Sequence, residues 1–358
     1  MQIVPTVVAI AGLVAGVLAD GPCSGPNSRT KPPAGATVVD TTGSYENSVK
    51  TVQEGVAKLD PTMTSEQIIF VLPGVYNEQV LISPLSGPLV LKGFTCDTNS
   101  YTSNEVTITQ AKAQKDIPKE VTGEARNDMT STVRFKRDNV KVYNLNIANT
   151  AGNVGQALAV NVNATDYVGF YACNLTGYQD TVLADKGREL YARTYINGVT
   201  DFVFGRYVQA WFESCDIETI GTGYISASGR ESATKPAIFV FNRARVFGDS
   251  GANSTVLGRP WRPNAKVVWQ NSELGDVVKP EGWATWDATS STRNVHFKEF
   301  NNTGPGAITD SRVAFSGQLD APVAIEDVLG EDYETEWWVD TTYLSIHRLC
   351  VELDKFQI

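Results

Sequence analysis

Two aspartates, Asp180 and Asp201, stand one 21-residue interval apart, each inside an aromatic-rich cassette: Gly-Tyr-Gln-Asp-Thr at 177–181 and Asp-Phe-Val-Phe-Gly at 201–205. Strand-like text recurs at the same interval through the middle of the chain. If one interval is one coil of a solenoid, the two carboxyl groups sit on adjacent coils, about 4.8 Å apart. Two acids that close do not ionise alike: one is pushed to hold its proton while the other stays charged. A single residue type then supplies both a general acid and a nucleophile. Histidine use narrows the chemistry further. Only His296 and His347 occur, neither in a motif, and Gly-x-Ser-x-Gly is absent, so a Ser-His-Asp hydrolase is not expected.

The elements that must hold such a pair are short strands. Apolar-alternating phrases occur at 140–147, 168–175, 190–196, 211–217, 239–246 and 267–274. Their terminal aliphatic residues, Ile147, Leu175, Ile196, Ile217, Val246 and Leu274, are spaced by 28, 21, 21, 29 and 28 residues. Units of about 20–30 residues built from short strands point to an all-β chain wound as a parallel β-helix. A β-sandwich or propeller is also rich in short strands but does not account for the interval. The longer steps carry loops suited to a binding face. Asn144, Asn174 and Asn242 fall at similar places in their phrases and are expected to stack at a corner. Residues 44–59 place Val49, Val52, Val56 and Leu59 at helical spacing, a helix to cap the open first coil. Residues after about 321 are expected to cover the other end.

The chain has 358 residues, 42% hydrophobic and 20% charged, with a formal net charge of −10. That is a globular composition, and it argues against a nucleic-acid partner, which would need a basic patch. An uncharged apolar run from Ile3 to Ala19, with small residues at Val17 and Ala19, reads as a secretory signal peptide over residues 1–19 rather than a membrane anchor. Export and an extracellular location follow as expectations, supported by four sequons at Asn163, Asn174, Asn253 and Asn301. Of five cysteines, Cys23, Cys96, Cys173, Cys215 and Cys350, at least one is left unpaired within the chain. Cys173 and Cys215, two intervals apart, are too distant for a bridge if coils stack at about 4.8 Å, and read as buried thiols. No cysteine–histidine group has zinc spacing.

Six patches resemble the pectin methylesterase (pectinesterase) family in the family's own order. They are Gly155-Gln-Ala-Leu-Ala159, Gly177-Tyr-Gln-Asp-Thr181, Asp201-Phe-Val-Phe-Gly205, Leu257-Gly-Arg-Pro-Trp261, Gly282-Trp-Ala-Thr-Trp286 and Glu299-Phe-Asn-Asn-Thr-Gly-Pro-Gly-Ala307. The resemblance implies a single-stranded right-handed parallel β-helix over residues 20–343 that acts as a monomer on pectin, with neither metal nor cofactor and no membrane association. It implies Asp201 as nucleophile, Asp180 as acid and base, Gln156 and Gln179 as oxyanion donors, and Arg259 as the partner of Asp201. It implies Trp261 as a sugar-binding ring, with Tyr178, Phe202, Phe204, Trp283 and Trp286 as further stacking surface. One of Phe202 and Phe204 is expected to face the core and the other the groove. Arg206 departs from the pattern, since many relatives carry Asn there. The interval from Gln156 to Gln179 is one residue longer than in plant relatives, and the tail at 344–358 matches nothing in the family. Two close carboxylates also suit a pectin-active glycosidase, and a non-catalytic pectin binder is the third reading.

Overall fold

The computed structural model describes residues 23–345. The signal-peptide expectation and nearly all of the 344–358 tail, with His347 and Cys350, lie outside them. All pairings between strands of the described residues are parallel, and each middle coil contributes a segment to each of three faces. The first face stacks Val80–Ile82, Val133–Phe135, the starts of Val160–Tyr171 and Val182–Ala192, the ends of Tyr195–Gly205 and Asp216–Ser228, and Thr255–Pro260. The second runs from Gln67–Val71 through Leu89–Gly93, Val140–Tyr143, the ends of Val160–Tyr171 and Val182–Ala192, Gln209–Glu213, Ile238–Asn242 and Lys266–Gln270 to His296–Phe300. The third stacks Val106–Gln110, Asn146–Asn149, Asn174–Thr176, the starts of Tyr195–Gly205 and Asp216–Ser228, Arg245–Phe247 and Glu273–Leu274. This is a parallel β-helix, as the spacing predicts.

The register follows the sequence phrases. Ile147, Leu175, Ile196, Ile217, Val246 and Leu274 lie directly opposite one another on successive coils. Their steps of 28, 21, 21, 29 and 28 residues are therefore coil lengths. The corner is made differently from the expectation. One residue per coil takes left-handed backbone there: Asn144, Ala172, Arg193, Ser214, Arg243, Asn271 and Asn301. Asn174 instead pairs with Asn146 within a strand, and Asn242 lies between Glu213 and Gln270. The ladder on either side imposes the conformation, so the position accepts side chains that rarely choose it unaided.

Inside, identical positions on successive coils form stacks. Phe170, Tyr191, Phe212, Phe241 and Trp269 make one aromatic column with ring centroids 4.9, 4.7, 4.4 and 3.9 Å apart. Each ring removes about 150–250 Å² from water, which makes the column a large share of the core's hydrophobic stabilisation. Glu189 is buried beside it and accepts a 2.6 Å hydrogen bond from the Tyr191 hydroxyl; burial holds its carboxyl well above the usual carboxylate range. Cys173 and Cys215 are buried free thiols on either side of Thr194. Cys23 and Cys96 form a disulfide, Cα atoms 4.5 Å apart, which ties the entry segment to the early coils.

The two coverings differ from the sequence reading. The N-terminal helix spans only Val52–Ala57. A capping box of Thr51 and Glu54 starts it, and the Glu78 carboxylate accepts from the Val52 and Gln53 N–H groups. Upstream, the Asp40 carboxylate captures the Thr42 and Tyr45 N–H groups and Val49 bridges Val39, so residues 44–50 are turn and bridge. The C-terminal segment does not cover the far end. Residues 323–344 run back along the second face, whose outward side chains Val90, Tyr143, Tyr171, Leu190, Trp211 and Val240 are apolar. Val328, Leu329, Tyr333, Trp338, Val339 and Tyr343 bury that surface. Gln270 and Gln209 donate to the carbonyls of Val323 and Val328, and Tyr171 to that of Trp338, so the strap crosses successive coils in reverse order.

Candidate active site

The first face carries the acids. The Ala157 N–H donates to the Gln179 carbonyl and the Asp180 N–H to the Thr200 carbonyl, each at 3.1 Å. Gln156, Gln179 and Thr200 with their following residues are thus stacked on three consecutive coils, and Asp180 and Asp201 are neighbours across one strand spacing of about 4.8 Å. Both aspartates have left-handed backbone, φ 64° and 51°. Asp tolerates this region better than most residues, and the turn lifts each carboxyl out of the strand alternation.

Arg259 distinguishes the two acids. It stands on Thr255–Pro260, opposite Ala227. Its Nε and a terminal nitrogen donate to the two Asp201 oxygens at 2.9 and 2.6 Å. Its guanidinium is held between the Tyr224 and Trp286 rings, at 4.0 and 4.1 Å from their centroids. Burial pushes the Asp201 carboxyl up, and the Arg259 hydrogen bonds and charge pull it back. Asp180 is held well above the usual carboxylate range, first by burial and then by the Asp201 charge, with Arg259 opposing only through space. Among the described residues Asp180 receives no side-chain hydrogen bond. The geometry therefore ionises Asp201 first and leaves the proton on Asp180. The Gln156 and Gln179 side chains are half-buried on the adjoining coils, and neither amide donates to a protein group among the described residues.

The aromatic expectations divide. Phe204 lies on the groove floor with Leu158, Leu183 and Ala227, and Trp261 and Trp286 pack against this cluster. Trp261 meets Phe204 edge-on at 6.1 Å. Tyr178 is half-buried beside the acids, its carbonyl accepting from the Val199 N–H at 2.7 Å. Phe202 is fully buried in the interior, because the left-handed turn at Asp201 breaks the alternation and sends it inward. Trp283 is also core: 1% exposed, stacked on Phe297 at 4.3 Å, with its indole N–H on Glu299. Neither presents a ring to a ligand. Trp286 meets the groove but spends one face on Arg259. Missed from sequence were Tyr224, the second wall of the arginine clamp, and the floor residues Leu158, Leu183 and Ala227. Their signal was register, since Leu183, Phe204 and Ala227 occupy one row with Arg259.

Arg206 is drawn away from the acids. It pairs with Glu124, comes within 3.9 Å of Asp185, and lies over the Tyr207 and Trp261 rings at 5.1 and 5.5 Å. The backbone at Gly229 passes so close that a Cβ there would meet Arg206 Cγ at 2.5 Å and Trp261 Cε3 at 2.6 Å, so glycine is required. Among the described residues, the one gathering of three potential metal ligands is Cys23, Cys96 and Glu105, and its two sulfurs are joined as a disulfide.

Residues 36–326 match the family model described as Pectinesterase. The chain is 41% identical over 327 residues to a pectinesterase of Aspergillus niger, covering 89% of this chain and 95% of that one. It is 41% identical over 325 residues to a pectinesterase of Aspergillus aculeatus, covering 88% and 94%. The crystal structure of the pectin methylesterase from Aspergillus niger matches with a TM-score of 0.79 at 35% identity, over 88% of this chain and 100% of that one. The pectin methylesterase from carrot matches with a TM-score of 0.72 at 26% identity, over 88% and 94%.

Proposed function

The chain belongs to the pectinesterase family and hydrolyses the methyl esters of pectin, and from that premise we propose that Asp201 and Asp180 divide the reaction between them. The Asp201 carboxylate attacks the ester carbonyl carbon of a galacturonate unit. The oxygen that gains negative charge is held by the amide N–H groups of Gln156 and Gln179. Collapse breaks the bond to the methoxy oxygen, which takes the Asp180 proton and leaves as methanol. The Asp201–galacturonyl anhydride remains. Asp180, now a carboxylate, takes a proton from water as that water attacks the galacturonyl carbon. Asp201 departs as a carboxylate, Asp180 is protonated again, and the unit is a free acid.

The observation that carries this division is the bidentate Arg259 bond on Asp201 beside an Asp180 without one. The groove floor of Leu158, Leu183, Phe204 and Ala227 suits the apolar face of a sugar and its methyl group, with Trp261 and Tyr178 as flanking rings. The polymer would lie along the solenoid axis. Among the described residues no helix is long and apolar enough to cross a membrane. Cleavage after Ala19, secretion and action as a monomer without a nucleic-acid partner complete the reading. The test pairs methanol release from highly methylated pectin with a count of new reducing ends. Methanol without reducing ends is expected, and Asp201→Asn should abolish it while still retaining polymer. Substantial turnover by that variant would remove Asp201 as nucleophile, and new reducing ends would favour a glycosidase.

A further inference from the structure

The fold treats the four Asn-x-Thr sequons differently. Asn163 and Asn174 lie within strands and are half-buried, and the Asn174 side-chain oxygen is sealed from solvent. Asn301 is exposed, but its amide donates to Asn271 at 3.0 Å. Asn253 is exposed on the loop before Thr255–Pro260, and its side-chain amide has no hydrogen-bond partner among the described residues. Its backbone is fixed, with φ 56° and its N–H donating to the Asp276 carbonyl at 2.8 Å. Beside it is a hollow of about 360 Å³, walled by residues 252–253, 276–280 and 305–312 of successive coils and within the size range of small-molecule sites. Pro280, Pro305 and Ile308 stand exposed there, and Ile308, at 66%, is the most exposed large apolar side chain among the described residues. The Asp276 carboxylate and the Ser311 hydroxyl also line the hollow and are unpaired among the described residues. Thr255 stands about 13 Å before Arg259 along its strand, so the hollow is apart from the reacting acids.

A tethering nitrogen, an apolar floor and two hydrogen-bonding groups thus meet at one place, and together they suit an amide-linked sugar. We propose that Asn253 is a modification site bearing an N-linked glycan whose first N-acetylglucosamine lies in the hollow, over Pro280, Pro305 and Ile308. In the transfer, the Asn253 amide nitrogen attacks C1 of the first sugar of a lipid-diphosphate-linked oligosaccharide. A C1–N bond forms, the C1–O bond to the diphosphate breaks, the diphosphate takes the electron pair and the amide loses one proton. The step precedes closure of this coil. In the folded protein Thr255 of the sequon is fully buried, its hydroxyl donating to the Gly223 carbonyl at 3.2 Å. After folding, the sugar braces the corners of successive coils, which otherwise hold only their neighbours. This inference rests on export through the secretory route, and the test tells its failure from a failure of export.

The full chain is expressed in a yeast secretory host, and each sequon of the secreted protein is read by glycopeptide mass spectrometry. Asn253 should be occupied. Glycan on Asn301 with Asn253 bare would uphold export and overturn the proposal, as would a secreted protein without any N-glycan. The seat of the sugar is read by melting. Asn253→Asp keeps a side chain that tolerates left-handed backbone and should melt about 1–4 °C below the wild type when both are secreted. Trimming the wild-type glycan to its first N-acetylglucosamine should preserve that gap. The same two chains made in a bacterial periplasm, without this glycan, should melt together. Ile308→Ser should lower the melting temperature of the secreted wild type more than that of secreted Asn253→Asp, because only the first has a sugar over the isoleucine. Equal melting of the secreted pair, or a gap that persists in the bacterial pair, overturns the packed sugar.

Discussion

Replacing Arg259 by methionine removes the one cation bound to the reacting acids while keeping an unbranched stem between Tyr224 and Trp286. The pair is well shielded, with the arginine side chain 17% and the aspartate 8% exposed, so solvent screens it little. An adjacent guanidinium lowers a carboxyl pKa by about 1–3 units, equivalent to about 1.4–4 kcal/mol. Without it, burial acts on Asp201 unopposed, and two buried acids are left to share protons with no counter-charge. The nucleophile must be ionised, so the acidic limb of the kcat/KM profile should move upward by about 1–3 pH units. Below that limb, activity should fall on the order of 10- to 1,000-fold, with part of the loss recovered as pH rises. The assay is methanol release from a methylated oligogalacturonate across the pH range, with a melting curve at each pH to show that the variant is folded. Arg259→Lys should return the limb towards its wild-type position without restoring the full rate, because lysine lacks the two-pronged bond. An acidic limb unmoved in Arg259→Met would refute the argument that this guanidinium sets the charge of Asp201.

Asp180→Asn should slow methanol departure by about 10²–10⁴-fold and abolish the alkaline limb of the profile, which a persisting limb in rate assays would contradict. Glu189 holds its proton in the folded protein and loses it when unfolded, so the fold loses about 1.4 kcal/mol per pH unit between the unfolded and the raised folded value. Glu189→Gln keeps the acceptor for Tyr191 and should melt higher than the wild type at neutral and alkaline pH but not in acid; a pH-independent difference would count against a neutral Glu189. Trp338→Ala empties a fully buried site stacked on Tyr167 at 5.3 Å and should cost about 3–5 kcal/mol in denaturant unfolding, whereas less than about 1 kcal/mol would mean that the strap contributes little.

The coil register was legible because one aliphatic residue ends each phrase and those residues must stack inside. The acids were legible through the same interval, which carries Asp180 onto Asp201. Trp283 was misplaced for a local reason: aromatic residues next to site motifs read alike whether they face in or out. The expected division of Phe202 and Phe204 between core and groove is found, and the left-handed Asp201 decides that Phe202 is the inner one. The short helix reflects Asp40, whose carboxylate organises residues 41–45 into turns that periodicity alone does not reveal. The strap leaves a trace in the sequence of the face it covers. Ile238-Phe-Val-Phe lacks the polar alternation of a strand with one wet face, and all four residues are buried. Such a run announces that something covers the outside, though not which segment does.

In a solenoid each turn touches only the turns before and after it, so such molecules can fray from an end or melt by sections. Residues 323–344 alter that arithmetic. By fastening onto Gln270, Gln209 and Tyr171 together, they act like the cord through a string of beads, and no interior bead can loosen without slackening the whole length. Unfolding should therefore be a single all-or-none event despite the modular build. A chain cut short before the cord should remain a loose stack however many turns have already formed.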